Sequence, residues 1–165
     1  MKTELQRKLI LEFPQFFTTD QKMYIGDKPI MEEVEELFNQ KEMVLPIQFG
    51  VECGDGWFVL LQQLLRSIES HLNPENSWPS KERIPLQIDQ IKEKFSGLRF
   101  YYSGGDDEVR GMVRLAERLS YCICEHCGST INVGRTSGWL ITICESCVNK
   151  LKPEIIDGWK KNSEE

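Results

Sequence analysis

Histidine is nearly missing from this chain, whose 165 residues include two, His71 and His126. That scarcity makes a Cys–His machine a poor fit, because a nucleophile needs a base beside it and His126 lies inside a cysteine motif. Long apolar runs are missing too. None approaches the roughly 20 residues that span a bilayer. The start, Met1-Lys2-Thr3-Glu4-Leu5-Gln6-Arg7-Lys8, has no signal-peptide core and no small-residue cleavage site. The expectation is a cytoplasmic protein with no membrane partner. A positive balance is lacking as well: 20 Lys and Arg stand against 26 Asp and Glu, a net charge of −6. Broad, non-specific nucleic-acid binding runs on phosphate neutralisation and does not suit such a total. The deficit is uneven, however. Residues 1–80 hold 7 cations against 13 acids, residues 81–120 hold 8 against 7, and residues 121–165 hold 5 against 6. The middle of the chain can therefore carry a local basic face. No internal repeat, low-complexity tract or small-molecule cofactor motif occurs.

What is present begins with cysteine. Four of the six cysteines form two Cys-x-x-Cys pairs, Cys124/Cys127 and Cys144/Cys147, with 16 residues between them. In a reducing compartment this spacing favours metal over disulfides. Two knuckles so placed can present four thiolates to one tetrahedral Zn²⁺. Gly128 after the first pair permits the sharp reversal a knuckle needs. Four thiolates leave no open position for water, so the expected zinc is structural. Cys122 reads as a spare, buried free cysteine, and Cys53 has no evident histidine partner.

Upstream of the cysteines the pattern is that of an α+β protein, a small antiparallel sheet with packed helices. Residues 1–120 are expected to form the core domain, 121–150 the zinc ribbon and 151–165 a fraying tail. Leu5 and Leu9 mark a first helix stopped by Pro14, and Phe13, Phe16 and Phe17 follow as a lid on the core. An acidic helix is expected from Pro29 to Phe38 and a strand from Val44 to Val51. Glu52-Cys53-Gly54-Asp55-Gly56-Trp57 makes a tight loop with Asp55 as N-cap. Behind it Trp57, Leu60, Leu61, Leu64, Leu65, Ile68 and Leu72 form one helical stripe. Trp78 reads as an anchor in a proline-rich loop. Residues 90–102 read as a hairpin turning at Ser96-Gly97, with Lys94 facing Arg99 and Lys92 facing Tyr101. A helix over Asp107–Ser120 should bury Val109, Met112, Val113, Ala116 and Leu119.

Three constellations compete for function. Lys92, Lys94 and Arg99 with Tyr101 form a basic strip suited to phosphates and one stacked base. Arg110, Arg114 and Arg118 fall at i, i+4 and i+8 on the solvent side of their helix. Glu52 and Asp55, with Asp106 or Asp107, are carboxylates that could hold a cation or share acid–base work. Gly104-Gly105 could open a phosphate loop, but the acids that follow would repel the phosphate.

The motifs Glu52-Cys53-Gly54-Asp55-Gly56-Trp57, Lys92-Glu93-Lys94-Phe95-Ser96-Gly97-Leu98-Arg99-Phe100-Tyr101-Tyr102, Cys124-Glu125-x-Cys127-Gly128 and Gly138-Trp139 before Cys144 occur in this order. Together they resemble a family of small bacteriophage and prophage proteins that has no settled function. The family often has Gly-Gly where this chain has Ser96-Gly97. The resemblance implies a phage setting and no catalytic residues. The expected function is a phage-type accessory protein binding a host protein or nucleic acid through the hairpin and ribbon. The alternative is a metal-assisted hydrolase or nuclease using the acidic group.

Overall fold

The computed structural model describes residues 1–17, 51–73, 84–151 and 158–162. The expected acidic helix, residues 44–50 and Trp78 lie outside the described residues. The chain starts with helix α1 (Thr3–Glu12), which buries Leu9 and Ile10. Pro14 ends α1, yet it also opens a short helix, α2 (Pro14–Phe17). Proline at a first helical position loses nothing, because its missing N–H has no partner there. Phe13, Phe16 and Phe17 are all buried, as their crowding suggested. Glu12 ties α1 to the long helix over Phe58–Leu72 by accepting from Gln62 Nε2 at 2.6 Å and Arg66 Nη2 at 2.6 Å.

Strand β1 (Val51–Glu52) leads through a 3₁₀ turn, Asp55–Trp57, into α3 (Phe58–Leu72). The amphipathic stripe holds: Trp57, Leu61, Leu64, Leu65 and Ile68 are buried. Asp55 does not cap the helix, because the inserted 3₁₀ turn moves the helix start to Phe58. Its carboxylate instead accepts from the Lys2 N–H at 2.7 Å and pairs with Lys2 Nζ at 3.1 Å.

Strands β2 (Leu86–Lys94) and β3 (Gly97–Gly104) form the hairpin, and β1 joins β2 in parallel. The turn residues are Phe95 and Ser96, with φ of 54° and 64°, not Ser96 and Gly97. Lys94 therefore faces Gly97, and Lys92 faces Arg99. Each partner is displaced by two positions, an even number, so the two faces survive the error. Ile91, Leu98 and Phe100 still point to the core, while Lys92, Lys94, Arg99 and Tyr101 point away from it. Phe95 alone leaves the apolar face, and is 65% exposed in the turn.

Helix α4 (Asp107–Ser120) covers that apolar face with Val109, Val113 and Ala116. Leu119, expected inside, is 43% exposed. Ser120 takes the inner position because β3 needs its hydroxyl, which accepts from Leu98 N at 2.9 Å and donates to Glu117 O at 2.7 Å. Asp106 caps α4 through Glu108 N and Val109 N, and His71 Nε2 lies 2.9 Å from it. The Val109 N–H, followed by His71, holds the Asp106 carboxyl below its ordinary 3.8. A lowered carboxyl contributes stability that is complete above the unfolded pKa and lost as pH falls through the lower folded value. Asp106→Ala should therefore cost about 1 kcal/mol at neutral pH. Denaturant melts should show this difference shrinking as pH falls below the ordinary 3.8. A pH-independent difference would contradict the assignment.

The cysteine segment adds β4 (Val133–Arg135), β5 (Thr142–Cys144), the one-turn helix α5 (Glu145–Val148) and β6 (Lys160–Lys161), with sheet order β5-β4-β6. Part of the expected tail is thus a strand. Trp159 anchors it, donating from Nε1 to Ile143 O at 2.9 Å and packing on a second apolar cluster with Val133, Ile143 and Val148.

Candidate metal centre and the face beside it

Cys124 and Cys127 belong to a knuckle closed by Gly128 N–H donating to Cys124 O at 2.8 Å, with Gly128 at φ 79°. Cys144 ends β5, and Cys147 sits in the single turn of α5. The four sulfurs all lie within 4.8 Å of one another, and Cys127 Sγ is 3.6 Å from Cys144 Sγ. Sulfurs around a tetrahedral Zn²⁺, each about 2.3 Å from the ion, stand about 3.8 Å apart. The four thiols can therefore hold a metal ion. Burial pushes the Cys144 thiol up, but the Ser146 hydroxyl and the Cys147 N–H outweigh it and bring the thiol down to about 6. Burial raises Cys124, against the N–H groups of Cys144, Cys127 and His126. Such N–H groups aimed at sulfur stabilise thiolate ligands. Cys122, expected to be buried, is exposed and outside the quartet.

The knuckle rests on the glycine loop between β1 and α3. Gly56 N donates to Glu125 O at 2.8 Å, and Gly54 N donates to the Glu125 carboxylate at 2.8 Å. Trp57 Nε1 reaches Ile123 O at 2.9 Å. A Cβ on Gly54 would lie 2.2 Å from Glu125 O, and one on Gly56 would lie 2.2 Å from Cys124 O. The loop that read as a place for a cation is where the core receives the ribbon. Burial raises the Glu125 carboxyl despite the Gly54 N–H.

The acidic group does not assemble. Glu52 accepts from Gln90 Nε2 at 3.1 Å, Asp55 holds Lys2, Asp106 caps α4, and Asp107 pairs with Arg110 at 2.6 Å. Among the described residues, no set of three or more His, Cys, Asp or Glu converges besides the cysteines. Burial pushes the Cys53 thiol up to about 12, and His71 is held between Asp106 and Glu108.

The basic strip is a real surface and is larger than the sequence suggested. Lys92 Nζ stands 5.2 Å from the Tyr101 ring centroid, and Lys94 Nζ 5.4 Å from that of Phe95. Arg99 Nη2 donates to the Tyr121 hydroxyl at 3.2 Å, and Arg135 lies 5.6 Å from the Tyr121 ring centroid. Tyr121 reaches this face over Gly97, where a Cβ would meet its hydroxyl at 2.4 Å. Register places Lys160 opposite Arg135, and Arg135 opposite Thr142, whose hydroxyl donates to Ser96 O at 2.6 Å. Paired residues share a sheet face, so Arg135 and Lys160 continue the hairpin strip across the ribbon. Nothing local in the sequence marks Tyr121, which joins the strip from the end of α4 through its hydroxyl and ring, or Arg135 and Lys160, which join it through strand pairing. Arg110, Arg114 and Arg118 are exposed, but α4 packs on the opposite face of the hairpin, so they form a separate surface. Among the described residues, no helix is long and apolar enough to cross a membrane. Compared with known protein families, with curated proteins and with solved structures, the chain matches none.

Proposed function

We propose that this chain is a phage-type accessory protein that binds a host macromolecule through the hairpin and ribbon, with a structural Zn²⁺ as scaffold. The metal assignment is supported by the donor set, since four thiolates suit zinc and close its coordination sphere. The observation that carries the binding reading is the strip. Lys92, Lys94, Arg99, Arg135 and Lys160 lie along one face, and none has a carboxylate at salt-bridge distance among the described residues. In a chain of net charge −6, unpaired cations gathered on one face steer an anionic partner. The phage setting rests on the ordered motifs alone.

Phe95 supports the same face. A two-residue hairpin turn with both φ positive prefers Asn-Gly, and a left-handed conformation costs other residues roughly 1–2 kcal/mol. An exposed phenylalanine at φ 54° is unfavourable both in backbone and in solvation, which points to use at the surface. Phe95→Asn should raise stability by about 1 kcal/mol and weaken partner retention. In a pull-down from host lysate, Lys92→Glu/Lys94→Glu should likewise lose the partner. Recovery equal to wild type from both variants would remove this face.

A further inference from the structure

Resting on that reading of the face, we infer that its occupant is single-stranded nucleic acid, its phosphates held by Lys92, Arg99, Arg135 and Lys160 and its bases stacked on Tyr101 and Phe95. Charge comes first. None of these cations has a carboxylate at salt-bridge distance among the described residues; Arg114 and Arg118 on the separate α4 surface have none either, and what marks the strip is its row of cations set beside rings. Unpaired cations in a row match a row of phosphates better than scattered carboxylates on a protein. The acid within the strip is Glu52, opposite Lys92 across the β1–β2 pair, where it accepts from Gln90. Glu93 is turned away, accepting from Ser96 N. Glu52 therefore borders the strip.

The second argument is the alternation of charge and ring. Lys92 stands over Tyr101, Lys94 over Phe95 and Arg135 over Tyr121. Tyr101 is 42% exposed and Phe95 65%, so a base can slide onto either ring while its lysine swings to the neighbouring phosphate. Stacking platforms of this kind serve unpaired bases of any sequence. The third is shape. Among the described residues the strip is the outer surface of a three-stranded sheet running into the ribbon sheet, broader than the single helix or two-stranded ribbon that a duplex major groove admits. A surface that offers rings and cations side by side suits splayed bases instead.

The test is fluorescence anisotropy of the zinc-loaded full chain. The probes are fluorescein-labelled 20-nucleotide oligo-dT, 20-nucleotide oligo-U and a 20-base-pair DNA duplex, from about 50 to 200 mM salt. The single strands should bind about 10-fold or more tighter than the duplex, and the dT/U ratio then assigns DNA or RNA. With about 0.7 per phosphate contact, the slope of log K against log salt should be roughly −3. Lys92→Ala and Lys160→Ala should each flatten it by about 0.7. Tyr101→Ala should weaken binding roughly fivefold or more with the slope unchanged. A merely structural defect would not divide in this way, and zinc content of each variant checks the fold. Equal binding of duplex and single strand, or variants that leave affinity and slope unmoved, would overturn the inference. If no oligonucleotide binds, but nuclease-treated lysate yields a protein lost on Lys92→Glu/Lys94→Glu, the face stands and its occupant is a protein. If neither is retained, the occupant and the face are both wrong.

Discussion

Stripping the metal is expected to unfold more than the ribbon. Purified protein should carry one zinc per chain, and a strong chelator should lower thermal stability by at least about 4 kcal/mol, since structural zinc sites contribute folding energy directly. For a chain of this size that is a fall in Tm of roughly 8–16 °C. The effect should reach core amides in hydrogen exchange, because Gly54, Gly56 and Trp57 all donate to the knuckle segment. Cys144→Ser should reproduce it, whereas Cys122→Ser, outside the quartet, should keep the full zinc equivalent. Less than about half an equivalent of zinc in the wild type would contradict the coordination assignment. A chelated protein whose core exchange is unchanged would instead contradict the coupling.

Gly56→Ala is the second large effect. The added methyl would lie 2.2 Å from Cys124 O, 2.4 Å from Gly128 N and 2.7 Å from Glu125 O. All three are backbone atoms, which cannot swing aside as a side chain would. The knuckle must move off the loop, losing the Gly56 N–H to Glu125 bond as it goes. Overpacking of this kind together with one lost buried hydrogen bond costs about 3 kcal/mol. Because the displaced atoms belong to the metal knuckle, zinc affinity in competition with a chromophoric chelator should fall about 100-fold. Gly111→Ala is the contrast. It sits within α4 with nothing inside 4 Å of a new Cβ, and should stabilise by up to about 1 kcal/mol. If Gly56→Ala were as benign, the glycine loop would not be a seat for the ribbon.

Gly54 and Gly56 show how far the sequence could be read. They marked a tight loop, but the atoms that approach it come from Cys124, Glu125 and Gly128, and no local pattern encodes a partner 71 residues away. The cysteine quartet was legible because metal geometry ties ligand spacing to function in a short span. Helix α4 was legible to the residue from its acids and its apolar period, except that Leu119 and Ser120 exchange roles where β3 needs a hydroxyl. The hairpin faces were legible while its turn was not. Alternation survives an even displacement, but turn chemistry pointed to the glycine, and the chain instead puts Phe95 and Ser96 at positive φ. The strip was half legible. Lys92, Lys94, Arg99 and Tyr101 are neighbours in sequence, while Arg135 and Lys160 arrive by strand pairing alone.

The seating of the knuckle on the glycine loop also sets an order of events during synthesis. When Trp57 leaves the ribosome, the carbonyl its indole will need, at Ile123, has not been made, and the last ligand, Cys147, comes later still. Joining Gly54 to Glu125 closes a long loop, whose entropic cost grows only with the logarithm of its length, and the N–H groups of Gly54, Gly56 and the Trp57 indole hold it shut. On the proposed metal assignment, the seat offered by the glycine loop is filled only once the second cysteine pair has emerged. Metal capture would then be the step that completes the knuckle on which Gly54, Gly56 and Trp57 close.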